Sequence, residues 1–196
     1  LAAVQALFQA AQVIQFVKKP SLAEMVAKRV EFLTGYQNAA YAADYQAFVQ
    51  KVQAAEARVG STTRLTEAVA RYLFKLMAYK DEYEVARLHT DKAFTDKIAA
   101  QFEGDYKLVH HLAPPMMAKK NAKGELVKQS YGPWMRKAFG LLARMKGLRG
   151  TALDIFGRTE ERRTERALIA EYRSRIEREL ATLSKDTLAH ALAVAR

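Results

Sequence analysis

Four groups of side chains have the types and spacing to do chemistry. His110-His111 offers two imidazoles to a metal ion, and Asp81-Glu82-Tyr83-Glu84 could pair a general acid with a general base. Met116-Met117, after Pro114-Pro115, could touch a cofactor. The fourth group is cationic: Lys119, Lys120, Lys123, Lys128, Arg136, Lys137, Arg144, Lys146 and Arg149 stand within 31 residues, opposed only by Glu125. Lysine and arginine clustered without counter-charges attract phosphates, acidic proteins or anionic lipid.

The first three groups also have plainer readings. Neighbouring side chains on a strand point to opposite faces, so His110 and His111 cannot grip one ion unaided, and His89 and His190 stand alone. The carboxylates that follow Lys80 read as a solvated helix turn, and the methionine pair reads as gap-filling core. Trp134 reads as a core anchor just inside a helix start. The cationic stretch is the feature with a functional edge, and its plain alternative is a solvated face.

Motifs narrow the field further. The glycine-rich phosphate-cradling patterns are absent, as are the H-E-x-x-H and G-x-S-x-G hydrolase signatures. No cysteine occurs, which excludes disulfides, zinc-thiolate sites and cysteine-held iron–sulfur clusters within this chain. Catalytic and metal-ligating residues are therefore expected to be none.

The elements that must position these groups follow from periodicity. Ser21 and Glu24 form a capping-box pattern, and an alanine-rich, proline-free helix could run from Leu22 to about Val52, with Gly35 the weak point and Gly60 the stop. Leu65, Ala68, Val69, Tyr72, Leu73, Leu76 and Tyr79 share one helical face, while Phe74 on the other side predicts a helix sandwiched between two layers. Residues 106–131 predict a small β-hairpin with a turn at Asn121–Gly124. Gly132-Pro133-Trp134 opens a helix through Met145, and Thr159 caps a last long helix with the stripe Leu168, Tyr172, Ile176, Leu180 and Leu183. Glu171, Arg175 and Glu179 predict a ladder on its wet side.

The fold class is thus mainly α: a multi-helix domain with one small β-hairpin. The chain has 196 residues, and at that size about 70% of the unfolded surface is buried on folding, enough for one real core. Half of the residues are hydrophobic, but no run approaches the roughly 18 that a membrane span needs. The net charge is +11, and residues 119–149 supply most of it, with nine basic and one acidic side chain, whereas the flanking parts are nearly balanced. A chain beginning at Leu1 rather than at methionine is expected to be an excised piece of a longer protein. Residues 1–20 read as a lead-in from a preceding catalytic domain and 21–196 as a single helical domain.

Several strings resemble one family closely. They are Arg64-Leu-Thr-Glu-Ala-Val-Ala-Arg-Tyr-Leu-Phe-Lys-Leu-Met-Ala-Tyr-Lys-Asp-Glu-Tyr-Glu-Val-Ala-Arg-Leu88, Gln101-Phe-Glu-Gly-Asp-Tyr106, His111-Leu-Ala-Pro-Pro115, Gly132-Pro133-Trp134, Lys146-Gly-Leu-Arg-Gly-Thr151 and Glu161-Arg162-Arg163. In this order, from about residue 21 to 180, they resemble the C-terminal region of the fused, single-chain indolepyruvate ferredoxin oxidoreductases.

The resemblance implies a cytoplasmic, homo-oligomeric parent that oxidatively decarboxylates an aryl or related 2-oxo acid. Its implied cofactors are thiamine diphosphate, iron–sulfur clusters and coenzyme A, with ferredoxin as the electron acceptor. The thiamine-binding G-D-G pattern and the cluster cysteines belong to other domains, so no catalytic residue carries over. What remains is an accessory domain, expected to be inactive alone. Its partners would be the catalytic domains of the same polypeptide and acidic ferredoxin, with the nine cations above as the contact residues; no membrane is expected. A nucleic-acid-binding module is the alternative that +11 permits, but only Tyr131, Trp134 and Phe139 interleave with the cations.

Overall fold

The computed structural model of the chain describes residues 19–104, 106–112, 121, 123–124 and 127–196. Residues 1–18 of the 1–20 lead-in, the methionine pair, Lys119, Lys120 and Glu125 lie outside the described residues.

Two helices occupy the stretch in which a single one was expected. Helix α1 is Leu22–Tyr36 and α2 is Ala39–Val59. The capping box forms as read: Glu24 N–H donates to Ser21 Oγ at 3.2 Å, and Ser21 N–H donates to Glu24 Oε2 at 2.7 Å. The break falls at Gln37-Asn38, not at Gly35. Asn38 takes an extended backbone (φ −166°), and its Oδ1 accepts from Tyr41 N–H at 2.9 Å, so a new helix start replaces the continued ladder. Gly60 ends α2 as expected.

Helix α3, Arg64–Met77, is the centre of the first lobe. Its inner stripe buries Leu65, Val69, Leu73 and Met77. Phe74, on the other side, meets the Phe32 ring of α1 edge-on at 5.3 Å and the Tyr45 ring of α2 at 6.4 Å. The sandwich is real, because α7 (Glu160–Ala181) and α8 (Leu188–Val194) also pack on α3, with Ile176 and Ala191 buried. The α3 start has no side-chain cap of its own. Instead, Glu56 of α2, buried, accepts from Leu65 N–H at 3.0 Å and Thr66 N–H at 2.8 Å. It also accepts from the Thr66 and Thr62 hydroxyls, a carboxylate set against the positive end of the helix.

The second lobe comprises α4 (Glu82–Thr90), α5 (Lys92–Ala99), strands β1 (His110–Leu112) and β2 (Gln129–Tyr131), and α6 (Met135–Arg144), which tightens into a 3₁₀ turn at Met145–Leu148. The hairpin is antiparallel, pairing His110 with Tyr131 and Leu112 with Gln129, so the fold is mainly helical with one small sheet among the described residues. Gly124, in the left-handed region at φ +80°, closes the turn onto the Asn121 carbonyl. The core of this lobe is small: Ala86, Tyr131, Met135 and Phe139.

Candidate functional site

The two lobes meet at a buried charge network built from helix ends. An α-helix leaves its last carbonyls without partners, and cations are favoured there. Helix α1 carries no basic residue in its last turn. Lys146 and Arg149 supply that charge from the other lobe: Lys146 Nζ donates to the Gly35 carbonyl at 2.6 Å, and Arg149 NH1 donates to the Tyr36 carbonyl at 2.7 Å. Arg149 also lies over the Tyr36 ring, 3.7 Å from its centroid, and grips Asp81 through two hydrogen bonds, Nε to Oδ2 at 2.5 Å and NH2 to Oδ1 at 2.8 Å. Asp81 is in turn the N-cap of α4, accepting from Glu84 N–H at 2.8 Å. One buried ion pair thus joins the negative end of α1 to the positive end of α4.

The carboxylates of the Asp81–Glu84 run are accordingly not a solvated turn. Asp81, Tyr83 and Glu84 are all buried. Glu84 takes Arg87 in a two-pronged pair at 2.7 and 2.8 Å, and the Arg87 guanidinium lies 5.0 Å from the Phe32 ring centroid. Glu82 is held above the usual carboxylate range by burial, which outweighs Arg162 at 3.7 Å. The Tyr83 hydroxyl donates to Asp154 at 3.2 Å; burial first, and then the Asp154 charge, push that phenol up to about 12. Asp154 completes the hub by accepting from Gly150 N–H at 2.7 Å and Gly157 N–H at 2.9 Å.

This arrangement holds charges rather than using them. Both oxygens of Asp81 and both of Asp154 already accept hydrogen bonds, and Arg149 stays charged because the lowering by burial is more than offset by Asp81 together with Tyr36 and Tyr79. Lys146 is lowered by burial and then by the nearby Arg87 and Arg149 charges, yet its ammonium is spent on the α1 carbonyls.

The nine cations therefore do not form one surface patch. Arg149 is buried and Lys146 half-buried, because capping α1 draws both inward; that is a correction to reading them as partner contacts. Lys123, Lys128, Arg136, Lys137 and Arg144 are exposed, and Lys119 and Lys120 lie outside the described residues. Trp134 is 56% exposed rather than a core anchor, since the inward face of α6 is taken by Met135 and Phe139.

The strand histidines follow their sequence reading, and His89 departs from it. His110 is buried and His111 exposed, as strand alternation requires, with His111 Nδ1 and Ser130 Oγ 3.1 Å apart. His89 does not stand alone: its ring lies 5.1 Å from His110 and 5.1 Å from Phe139. Burial lowers both pKa values, and the His110 charge adds to the lowering at His89. Among the described residues, no group of three or more His, Asp or Glu side chains is arranged to hold a metal ion, and no helix is long and apolar enough to cross a membrane.

What the second lobe displays is apolar. Of the twelve large hydrophobic residues exposed among the described ones, nine fall in this lobe, between Leu88 and Met145, and Leu153 and Ile155 follow just after it. Exposed apolar surface rimmed by polar groups marks protein, membrane or ligand contact sites.

The fold and hub define a two-lobed helical domain tied together by helix-end charges. The chain belongs to the family of unknown function DUF6537, whose profile matches residues 22–196. No curated protein and no solved structure matches it.

Proposed function

We propose that this chain is the C-terminal accessory domain of a 2-oxoacid oxidoreductase of the indolepyruvate ferredoxin type, non-catalytic by itself and acting by docking to protein partners. The resemblance of its ordered strings supports the parent. The strings ending at Leu88 and running from Lys146 to Thr151 hold Asp81 and Arg149, so residues that carry the resemblance have a structural use in the hub. The observation that carries the docking role is the concentration of exposed hydrophobics on the second lobe, beside the exposed cations Lys123, Lys128, Arg136, Lys137 and Arg144. The partners are the catalytic domains of the same polypeptide and acidic ferredoxin, whose transient encounter gains chiefly in association rate from opposite charge.

The test is made in the full-length parent. Reversing Lys119, Lys120 and Lys123 to glutamate raises the KM for ferredoxin and reduces its salt dependence, while turnover with a neutral artificial acceptor is unchanged. An unchanged ferredoxin KM at low salt would overturn the ferredoxin role. Turnover of a 2-oxo acid by residues 1–196 alone would overturn the non-catalytic one.

A further inference from the structure

The outward side of α6 carries a second row of side chains. Met135, Phe139 and Leu142 turn inward onto α4. Along the opposite side, Trp134, Lys137, Leu141 and Arg144 follow one another at spacings of three, four and three, the repeat that aligns side chains on a helix surface. Met145, four residues past Leu141, extends the row. Leu141 is 64% exposed and Trp134 56%, and with the exposed Met145 they line up as one apolar row rather than standing singly.

Two observations indicate what covers the row. Trp134 is exposed yet fixed, its indole standing edge-on to the buried Tyr131 ring with centroids 6.0 Å apart. An aromatic held in place before binding loses little freedom on docking, and Trp and Arg are where interface energy concentrates. The second observation is charge. Lys137 and Arg144, both exposed, make no ion pair among the described residues. From Tyr106 to Leu153 the sequence has ten basic side chains and a single acidic one, Glu125.

We infer that this row is the docking face for an acidic amphipathic helix of a partner protein. The helix seats one or two large apolar residues between Trp134 and Leu141 and sets carboxylates against Lys137 and Arg144. From Trp134 to Met145 the row is about 16 Å long at 1.5 Å per residue, which matches three turns of a partner helix. Single-stranded nucleic acid needs successive stacking planes, and Leu141 and Met145 offer none. The inference deepens the docking reading above and rests on it, but it is read on the isolated chain, where the chemistry of the parent does not enter.

The test is selection of helix-forming 20-residue peptides from a random display library against residues 1–196, followed by binding isotherms at two salt concentrations. Enriched peptides are expected to carry Asp or Glu at helical spacing around Leu or Phe. They lose at least ten-fold in affinity against Leu141→Ala and against the pair Lys137→Glu and Arg144→Glu, but not against the remote control Lys185→Glu. Circular dichroism confirms that each variant is folded. A peptide with its carboxylates changed to lysine regains binding to the Lys137→Glu and Arg144→Glu protein, a rescue that misfolding cannot produce. Failure to enrich acidic peptides, or affinity indifferent to the α6 variants, overturns the inference. So does a 20-nucleotide single strand that binds through Lys137 and Arg144 more tightly than any selected peptide.

Discussion

Arg149 and Asp81 lie 68 residues apart in sequence and meet in a buried two-pronged ion pair, with the guanidinium stacked on Tyr36. Breaking a buried pair by removing one partner strands the other charge and costs about 3–5 kcal/mol, while exchanging both for apolar residues is often neutral. Arg149→Met and Asp81→Leu should each lower the urea midpoint sharply, and the double variant should recover part of the loss. Arg149→Lys should remain well below wild type, because an ammonium reproduces neither the fork nor the stacking. Equal losses in single and double variants would show that packing, not charge, dominates there.

Glu56 should behave as a buried cap. Its carboxylate accepts from two backbone N–H groups and two hydroxyls at the start of α3. Glu56→Gln turns an amide NH₂ toward those donors and should cost about 2 kcal/mol, since hydrogen bonds to a charged acceptor are worth about 1.5–3. Chemical denaturation reads this directly, and a midpoint within error of wild type would contradict it.

The His89–His110 pair should make the second lobe sensitive to acid. Burial lowers both pKa values, so the folded lobe favours the neutral rings. Stability from this source is complete above the unfolded histidine pKa of about 6.5 and is lost as pH falls through the lowered folded values. Amide exchange in α6 and β2 should therefore accelerate below about pH 6.5, relative to α3. His110→Leu should flatten that pH dependence; an unaltered slope would place the sensitive group elsewhere.

Two glycines should respond in opposite directions to alanine. A Cβ on Gly157 would stand 2.1 Å from Asp154 Oδ2 and 2.9 Å from Arg166 NH1, so Gly157→Ala should disrupt the hub loop. A Cβ on Gly140, inside α6, would meet nothing within 4 Å. Gly140→Ala should therefore stabilise the chain by about 0.5–1 kcal/mol through helix propensity alone, read as a higher thermal midpoint.

The sequence by itself determined whatever depends on near neighbours. The Ser21–Glu24 box, the Thr159 cap (its Oγ1 accepts from Arg162 N–H at 3.3 Å) and the hairpin turn at Gly124 all formed where the sequence read them. Those signals act within a few residues or one helical period, as does the α3 stripe, of which Leu65, Ala68, Val69 and Leu73 are buried, Tyr72 and Leu76 half-buried, and Tyr79 past the helix end. The break at Asn38 is equally local, but its single cap residue stands before an alanine-rich, proline-free stretch whose propensity favours a continued helix. Of the ladder on α7, Glu171 and Arg175 pair as expected, while Glu179 faces His190 of α8 at 3.7 Å.

Tertiary structure alone decided which charges are buried. Nothing beside Asp81 announces that its partner arrives 68 residues later, and nothing near Lys146 announces that it will close the end of α1. Charge counting put Lys137 and Arg149 in one class, yet one is exposed and the other is 5% accessible. The same limit applied to Trp134, whose place beside a helix start did not reveal which side of α6 the small core would take. Burial is set by what the rest of the chain brings to a residue, and composition carries no record of that approach.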